Sequence, residues 1–161
     1  MPPDPNELLG RASTLAAGAT QADLRRAISD AYYAVFHAFA TAAADMVCGG
    51  SAGRSSQGYS LVYRSIDHKT LRSLCAQLSQ TNPQNVAVVP SVGLGNISNL
   101  AGLVVNLQGQ RLLADYEPSE TYTDVRAKAA ISDATQILAW FNACVDEQQK
   151  AFLTMLLFRQ R

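Results

Sequence analysis

A chain of 161 residues that is 48% hydrophobic and 16% charged is long enough to bury one sizeable core and too apolar to be a disordered tract. Thirteen basic and thirteen acidic side chains cancel, which excludes capture of nucleic acid by a global positive field and requires any anion site to be local. The three cysteines, Cys48, Cys75 and Cys144, are far apart and accompany only two histidines, so the expectation is reduced, buried thiols with no metal centre and no cofactor.

In chain order, Asn6 is placed to cap a first amphipathic helix through Leu8, Leu9, Ala12, Leu15 and Ala16, which Gly18 would end. Thr20 with Asp23 forms a capping pair for a second helix to about Val47. The segment CGGSAGRSSQG, residues 48–58, is dense in Gly and Ser and reads as a mobile loop. A third helical region, YSLVYRSIDHKTLRSLCAQLS, carries a break near Asp67, where Asp67 or Thr70 would restart it as an N-cap. Residues 81–95, TNPQNVAVVPSVGLG, contain two prolines and an apolar patch too short to seed a sheet, so they read as a loop.

Helical spacing returns at Ile97, Leu100, Ala101, Val104, Leu107, Arg111 and Ala114, and Pro118 stops it. Thr121 or Thr123 opens a long final helix through Ile131, Ile137, Phe141 and Val145 toward Phe158. Its end, AFLTMLLFRQR, joins Phe152, Leu153, Leu156 and Leu157 to Arg159 and Arg161; with so short a polar face it is expected to pack on a neighbour rather than to bind lipid. No stretch alternates as a strand over a useful length. The expected architecture is all-α: one domain over residues 1–161, an antiparallel up-and-down bundle of four to five helices. The first residues, MPPDPNELL, lack a basic and apolar leader, and no apolar run reaches roughly 18 residues, so a cytoplasmic protein with no membrane partner is expected.

The second helix separates into two faces at 100° per residue. Leu24, Ile28, Ala31, Val35, Phe39, Ala42 and Met46 form a core stripe. Opposite them, Arg26, Asp30, Tyr33 and His37 recur at i, i+4, i+7 and i+11 and make one polar ridge. Such a ridge can wall an interhelical cleft, with Asp30 orienting Arg26 or His37, or it can be a buried hydrogen-bond network that fixes helix packing. Arg111 and Asp115 stand at i, i+4 and suit a helix ion pair.

Three stretches resemble motifs of the HEPN family: LRRAISDAYYAVFHAF at Leu24 to Phe39, YRSIDH at Tyr63 to His68, and LQGQRLLADYEP at Leu107 to Pro118. The resemblance implies an antiparallel helical bundle and frequent homodimers. In many members it also implies metal-independent RNA cleavage, or pairing with a nucleotidyltransferase-type antitoxin in toxin-antitoxin or defence systems. It places Arg111 and Asp115 in the same cleft as the ridge, giving a binding cleft of Arg26, Asp30, Tyr33, His37, Arg111 and Asp115.

Catalytic members carry an Arg followed at a short interval by a His; Arg64 and His68 are the counterparts here, with three intervening residues, one short of the shortest family interval. On one helix they would still stand side by side at i, i+4; the alternative is that Arg64 pairs with Asp67 or another carboxylate and His68 caps a helix start. Cleavage of RNA without a metal needs a base, an acid and positive charge on the developing phosphorane. Histidine, with an ordinary pKa of about 6.5, suits the first two and the planar guanidinium the third. A two-fold dimer would bring two copies of Arg64 and His68 together, with His37 as a reserve base. Two functions therefore stand open. One is a non-catalytic RNA-, nucleotide- or partner-binding module, favoured by the neutral charge and the short interval. The other is a metal-independent endoribonuclease using Arg64 and His68.

Overall fold

The computed structural model describes every residue except 1, 19, 81, 82, 84, 85 and 159–161, and the expectations for Arg159 and Arg161 lie outside it. Among the described residues there are seven α-helices, one short 3-10 helix and no strand. The helices are α1 (Pro5–Ala16), α2 (Gln21–Cys48), α3 (Gln57–Ser65), α4 (His68–Leu78), α5 (Asn96–Tyr116), α6 (Asp124–Ala143) and α7 (Asp146–Leu157). The all-α expectation holds, but there are more and shorter helices than the four to five expected.

Local chemistry sets most boundaries. The cap of α1 is Asp4 rather than Asn6: its carboxylate accepts from the Asn6 amide at 2.8 Å, and Pro5 takes the first helical position, where no amide is missed. Thr20 caps α2 through the Asp23 amide at 3.1 Å, and Gly49, at φ 81°, closes that helix in the left-handed conformation. Within residues 48–58 the backbone turns once as the 3-10 helix Gly50–Gly53. Asp67 caps α4 by accepting from the Thr70 amide at 2.7 Å, and Thr123 caps α6 through the Arg126 amide at 3.2 Å.

Of two breaks, the one near Asp67 meets the expectation and the other exceeds what helical periodicity signals. Ile66 is extended at ψ 126°, which separates α3 from α4. Cys144 is extended at ψ 143°, so the expected long final helix is two helices, and the second ends at Leu157. The second break is held from afar. The Gln148 side chain accepts from the Val145 amide at 3.3 Å and donates to the Gly93 carbonyl at 2.9 Å. Gly95, at φ 52°, passes so close that an added Cβ would meet Gln148 Nε2 at 2.6 Å, which only glycine permits.

The helix α2 lies at the centre and packs against α1, α3, α5, α6 and α7. Its stripe Leu24, Ile28, Ala31, Val35 and Phe39 is buried, with Tyr32 fully enclosed beside it. Phe39, Phe141 and Phe152 meet edge to face at centroid distances of 5.0 to 6.0 Å and join α2, α6 and α7. Phe152, Leu153 and Leu156 of the C-terminal segment are buried in the chain's own core. Burying a side chain of that size stabilises by roughly 1.5–3 kcal/mol, so α7 is an integral part of the fold. No helix among the described residues is long and apolar enough to cross a membrane.

Candidate functional site

The polar ridge of α2 divides between two structural contexts. At its N-terminal end Asp30 is fully buried and clasps two guanidinium groups. Arg11 of α1 donates to both carboxylate oxygens at 2.6 and 2.8 Å, and Arg26 approaches at 2.9 Å. Both arginine side chains are more than half exposed, so the clasp joins α1 to α2 at the protein's rim. The hydrogen bonds and the Coulomb attraction of Asp30 raise the Arg11 pKa further. Arg26 and Asp30 thus serve packing and stand apart from the crevice that takes the rest of the ridge.

Tyr33 and His37 instead face α3, α4 and α5. The Tyr63 hydroxyl meets His37 Nδ1 at 2.5 Å, and the Tyr32 hydroxyl meets His68 Nδ1 at 2.7 Å. Arg111, buried at 8% exposure, donates through Nη2 to the Tyr33 hydroxyl. Its Nε faces Asp115 Oδ2 at 2.8 Å, off the line of an aligned hydrogen bond, so that contact is an ion pair. Asp115 in turn accepts from the Ser29 hydroxyl, and Gln108 donates to the His68 carbonyl at 2.9 Å. The polar contacts of Tyr33, His37, His68, Arg111 and Asp115, five of the residues singled out from the sequence, fall into three sets, which the Tyr33 ring joins by lying 5.9 Å from that of His37 and 5.8 Å from that of His68.

The aromatic groups of this crevice form a ladder. Tyr59 and Tyr63 lie 6.5 Å apart with planes 20° from parallel, Tyr63 and His37 are 6.0 Å apart at 6°, and His37 and Tyr33 are 5.9 Å apart at 24°. These are offset-stacked spacings. The Arg111 guanidinium stands 5.1 Å from the Tyr33 centroid and 5.7 Å from those of Tyr32 and Tyr116. Phe36 fills the angle between the two histidines, 4.1 Å from the His68 ring and 5.6 Å from that of His37.

Electrostatics keep both imidazoles neutral. Burial lowers the His37 pKa below its ordinary 6.5, and the nearby His68 lowers it further. Burial and the Arg111 charge lower that of His68, against a smaller opposing pull from Asp67. Burial pushes the Tyr63 phenol up to about 12, and raises that of Tyr32 as well. The crevice at pH 7 thus offers neutral rings, neutral hydroxyls and one guanidinium balanced by a carboxylate.

Arg64 and His68 do not share a helix. Arg64 closes α3 and His68 opens α4, with the extended Ile66 between them, so the i, i+4 geometry that a shared helix would give them does not arise. The Arg64 side chain is exposed and makes no hydrogen bond or ion pair with another described residue. Sequence reasoning missed Tyr32, Tyr63, Ser29 and Gln108 as members of the network, and Arg11 as the partner of Asp30. Tyr32 and Tyr63 sit inside the motifs already singled out, but their partners lie 36 and 26 residues away. Among the described residues no three His, Cys, Asp or Glu side chains gather as a metal-binding group. No family model matches the chain, and neither the curated proteins nor the solved structures compared with it give a match.

Proposed function

We propose that this chain is a HEPN-like antiparallel helical bundle that binds single-stranded RNA along the aromatic ladder of the α2–α3–α4–α5 crevice without cutting it. The observation that carries the reading is the run of near-parallel, partly exposed rings Tyr63, His37 and Tyr33, which the buried Tyr59 continues inward, with Arg111 beyond one end and Arg64 beside the other. Proteins that hold single strands combine aromatic faces for bases with cations for phosphates, and stacking contributes roughly 1–3 kcal/mol per base. A neutral protein can do this because a phosphate needs only a cation local to the strand's path, and the exposed Arg64 is one.

Three features support binding over cleavage. Arg64 and His68 stand on different helices. Both imidazoles are held neutral, so neither is poised as the protonated acid a leaving oxygen requires. The Arg111 charge is balanced by Asp115 and directed onto Tyr33, so it is not free to follow charge developing on a phosphorane. A homodimer, or a nucleotidyltransferase-type antitoxin partner, follows from the family resemblance and belongs to the same proposal.

The test is incubation of the purified protein with labelled single-stranded RNA in EDTA, followed by both retention and strand length, beside Arg64→Ala, His37→Ala and His68→Ala variants. Retention of intact RNA is the expected result. Cleavage by the wild-type protein that disappears in the His68→Ala or Arg64→Ala variant would replace this reading with the metal-independent endoribonuclease.

A further inference from the structure

Tyr63 also lines a concavity that His37 does not enter. It is a cleft of about 360 Å³ between the two prolines that precede α1 and the face of α3 carrying Tyr59, Ser60, Tyr63 and Arg64, with Arg54 at its edge. We propose that this cleft is a binding site for a pyrimidine nucleoside monophosphate. The assignment rests on the RNA-binding reading above, because it makes the cleft the seat of one nucleotide at the Arg64 end of the ladder.

Its two arginines differ in availability. Arg54 is committed: its Nε and Nη2 donate to the two oxygens of Asp45 at 3.1 and 2.6 Å. Arg64 carries a guanidinium with no partner among the described residues. That planar fork matches two phosphate oxygens at once, which a lone ammonium does not. The cleft therefore presents one uncommitted cation beside a charge already neutralised, as suits a singly esterified phosphate rather than a polyphosphate.

The neighbouring groups suit the rest of a nucleotide. Tyr63 brings aromatic carbon to the wall, backed by the buried Tyr59, whose ring lies 6.5 Å away and 20° from parallel. Tyr63 is anchored because its hydroxyl is engaged by His37, which is not part of the cleft lining, so its ring direction is set before any ligand arrives. The Ser60 hydroxyl makes no hydrogen bond to another described residue and can serve a sugar hydroxyl as donor or acceptor. The volume lies at the lower end of the range of about 300–1,000 Å³ typical of ligand pockets, which favours a single nucleotide with the smaller type of base.

Titration calorimetry of the whole chain with uridine 5'-monophosphate, inorganic phosphate and uridine tests the assignment, run beside the RNA retention assay. The expected results are binding of the monophosphate, weaker binding of phosphate and of uridine alone, and a loss of about tenfold in the Arg64→Ala variant, as follows from removing a charged hydrogen-bonding partner. Equal affinity of the wild-type and Arg64→Ala proteins would overturn it, as would phosphate binding as tightly as the monophosphate. Retention of RNA with no binding of the monophosphate would overturn the cleft and leave the crevice reading intact, whereas failure of both ligands would remove both.

Discussion

The ring of Tyr63 lies 6.0 Å from that of His37 with the two planes only 6° apart, and its hydroxyl is 2.5 Å from His37 Nδ1. One residue of α3 is thereby stacked on and hydrogen-bonded to one residue of α2. A hydroxyl donating to Nδ1 stabilises the neutral ring, in the same direction as burial. Replacing Tyr63 with Phe keeps the ring and removes that bond, so the titration midpoint of His37, followed by NMR of the imidazole, should rise toward 6.5. A fall instead would show that the imidazole is the donor.

The two lowered histidine pKa values make stability depend on pH. Unfolded, each ring binds a proton as pH falls through 6.5; folded, it resists until lower pH, so the unfolded state gains protons first. Stability is therefore full above 6.5 and declines as pH drops through the folded values. Carboxylates with lowered values, Asp45, Glu117 and Asp124, act below their ordinary 3.8 to 4.5, and Asp133, raised by burial, acts above 3.8 with the opposite sign, so the difference between wild-type and histidine-free urea midpoints at pH 7.5 and 5.5 isolates the histidines. The wild-type midpoint should fall over that interval and that of a His37→Gln, His68→Gln double variant should fall less. Equal falls would contradict the assignment.

Asp30 should matter for stability and leave RNA retention unchanged. Its carboxylate is wholly buried, but both arginine partners reach solvent, so their loss of a counter-ion is screened. Asp30→Ala is expected to cost about 2 kcal/mol, the scale of charged hydrogen bonds, as read from urea denaturation. The folded remainder should hold RNA as tightly as the wild-type protein does.

The Phe39, Phe141 and Phe152 contact gives a second stability test, far from the crevice. Phe39 is completely buried where α2, α6 and α7 meet. Phe39→Ala leaves a cavity and should cost about 3–5 kcal/mol in denaturant unfolding. A cost below about 1 kcal/mol would mean that α7 does not pack as described.

Features written in adjacent residues were legible in the sequence. The caps Thr20, Asp67 and Thr123 each bond an amide three residues on, so sequence spacing alone reveals them. The polar ridge was legible as a face, because 100° per residue is a local rule. Its division was not: Asp30 finds Arg11, 19 residues earlier, on a separate helix, and spacing along α2 carries no trace of that partner. The break at Cys144 was equally hidden. Apolar residues continue across it, and the group that accepts from the Val145 amide, Gln148, is positioned by Gly93, 55 residues away.

The relation between Arg64 and His68 stayed open in the sequence for a related reason. Asp67 was legible as a cap, and a cap at that position ends one helix and begins another, so the two residues lose the shared axis that i, i+4 pairing requires. What replaced that pair in the crevice, Tyr32 with His68 and Tyr63 with His37, depends on how α2 meets α3 and α4, which is decided by packing.

The most direct test of the central claim is to titrate the isotope-labelled protein with a single-stranded RNA in EDTA and map the amide and imidazole shifts onto the fold. Shifts concentrated at Tyr33, His37, Tyr63, Arg64 and His68, with α6 and α7 unaffected and the strand intact, are the expected result. Shifts confined to α6 and α7, or no shifts at RNA concentrations well above that of the protein, would contradict the account.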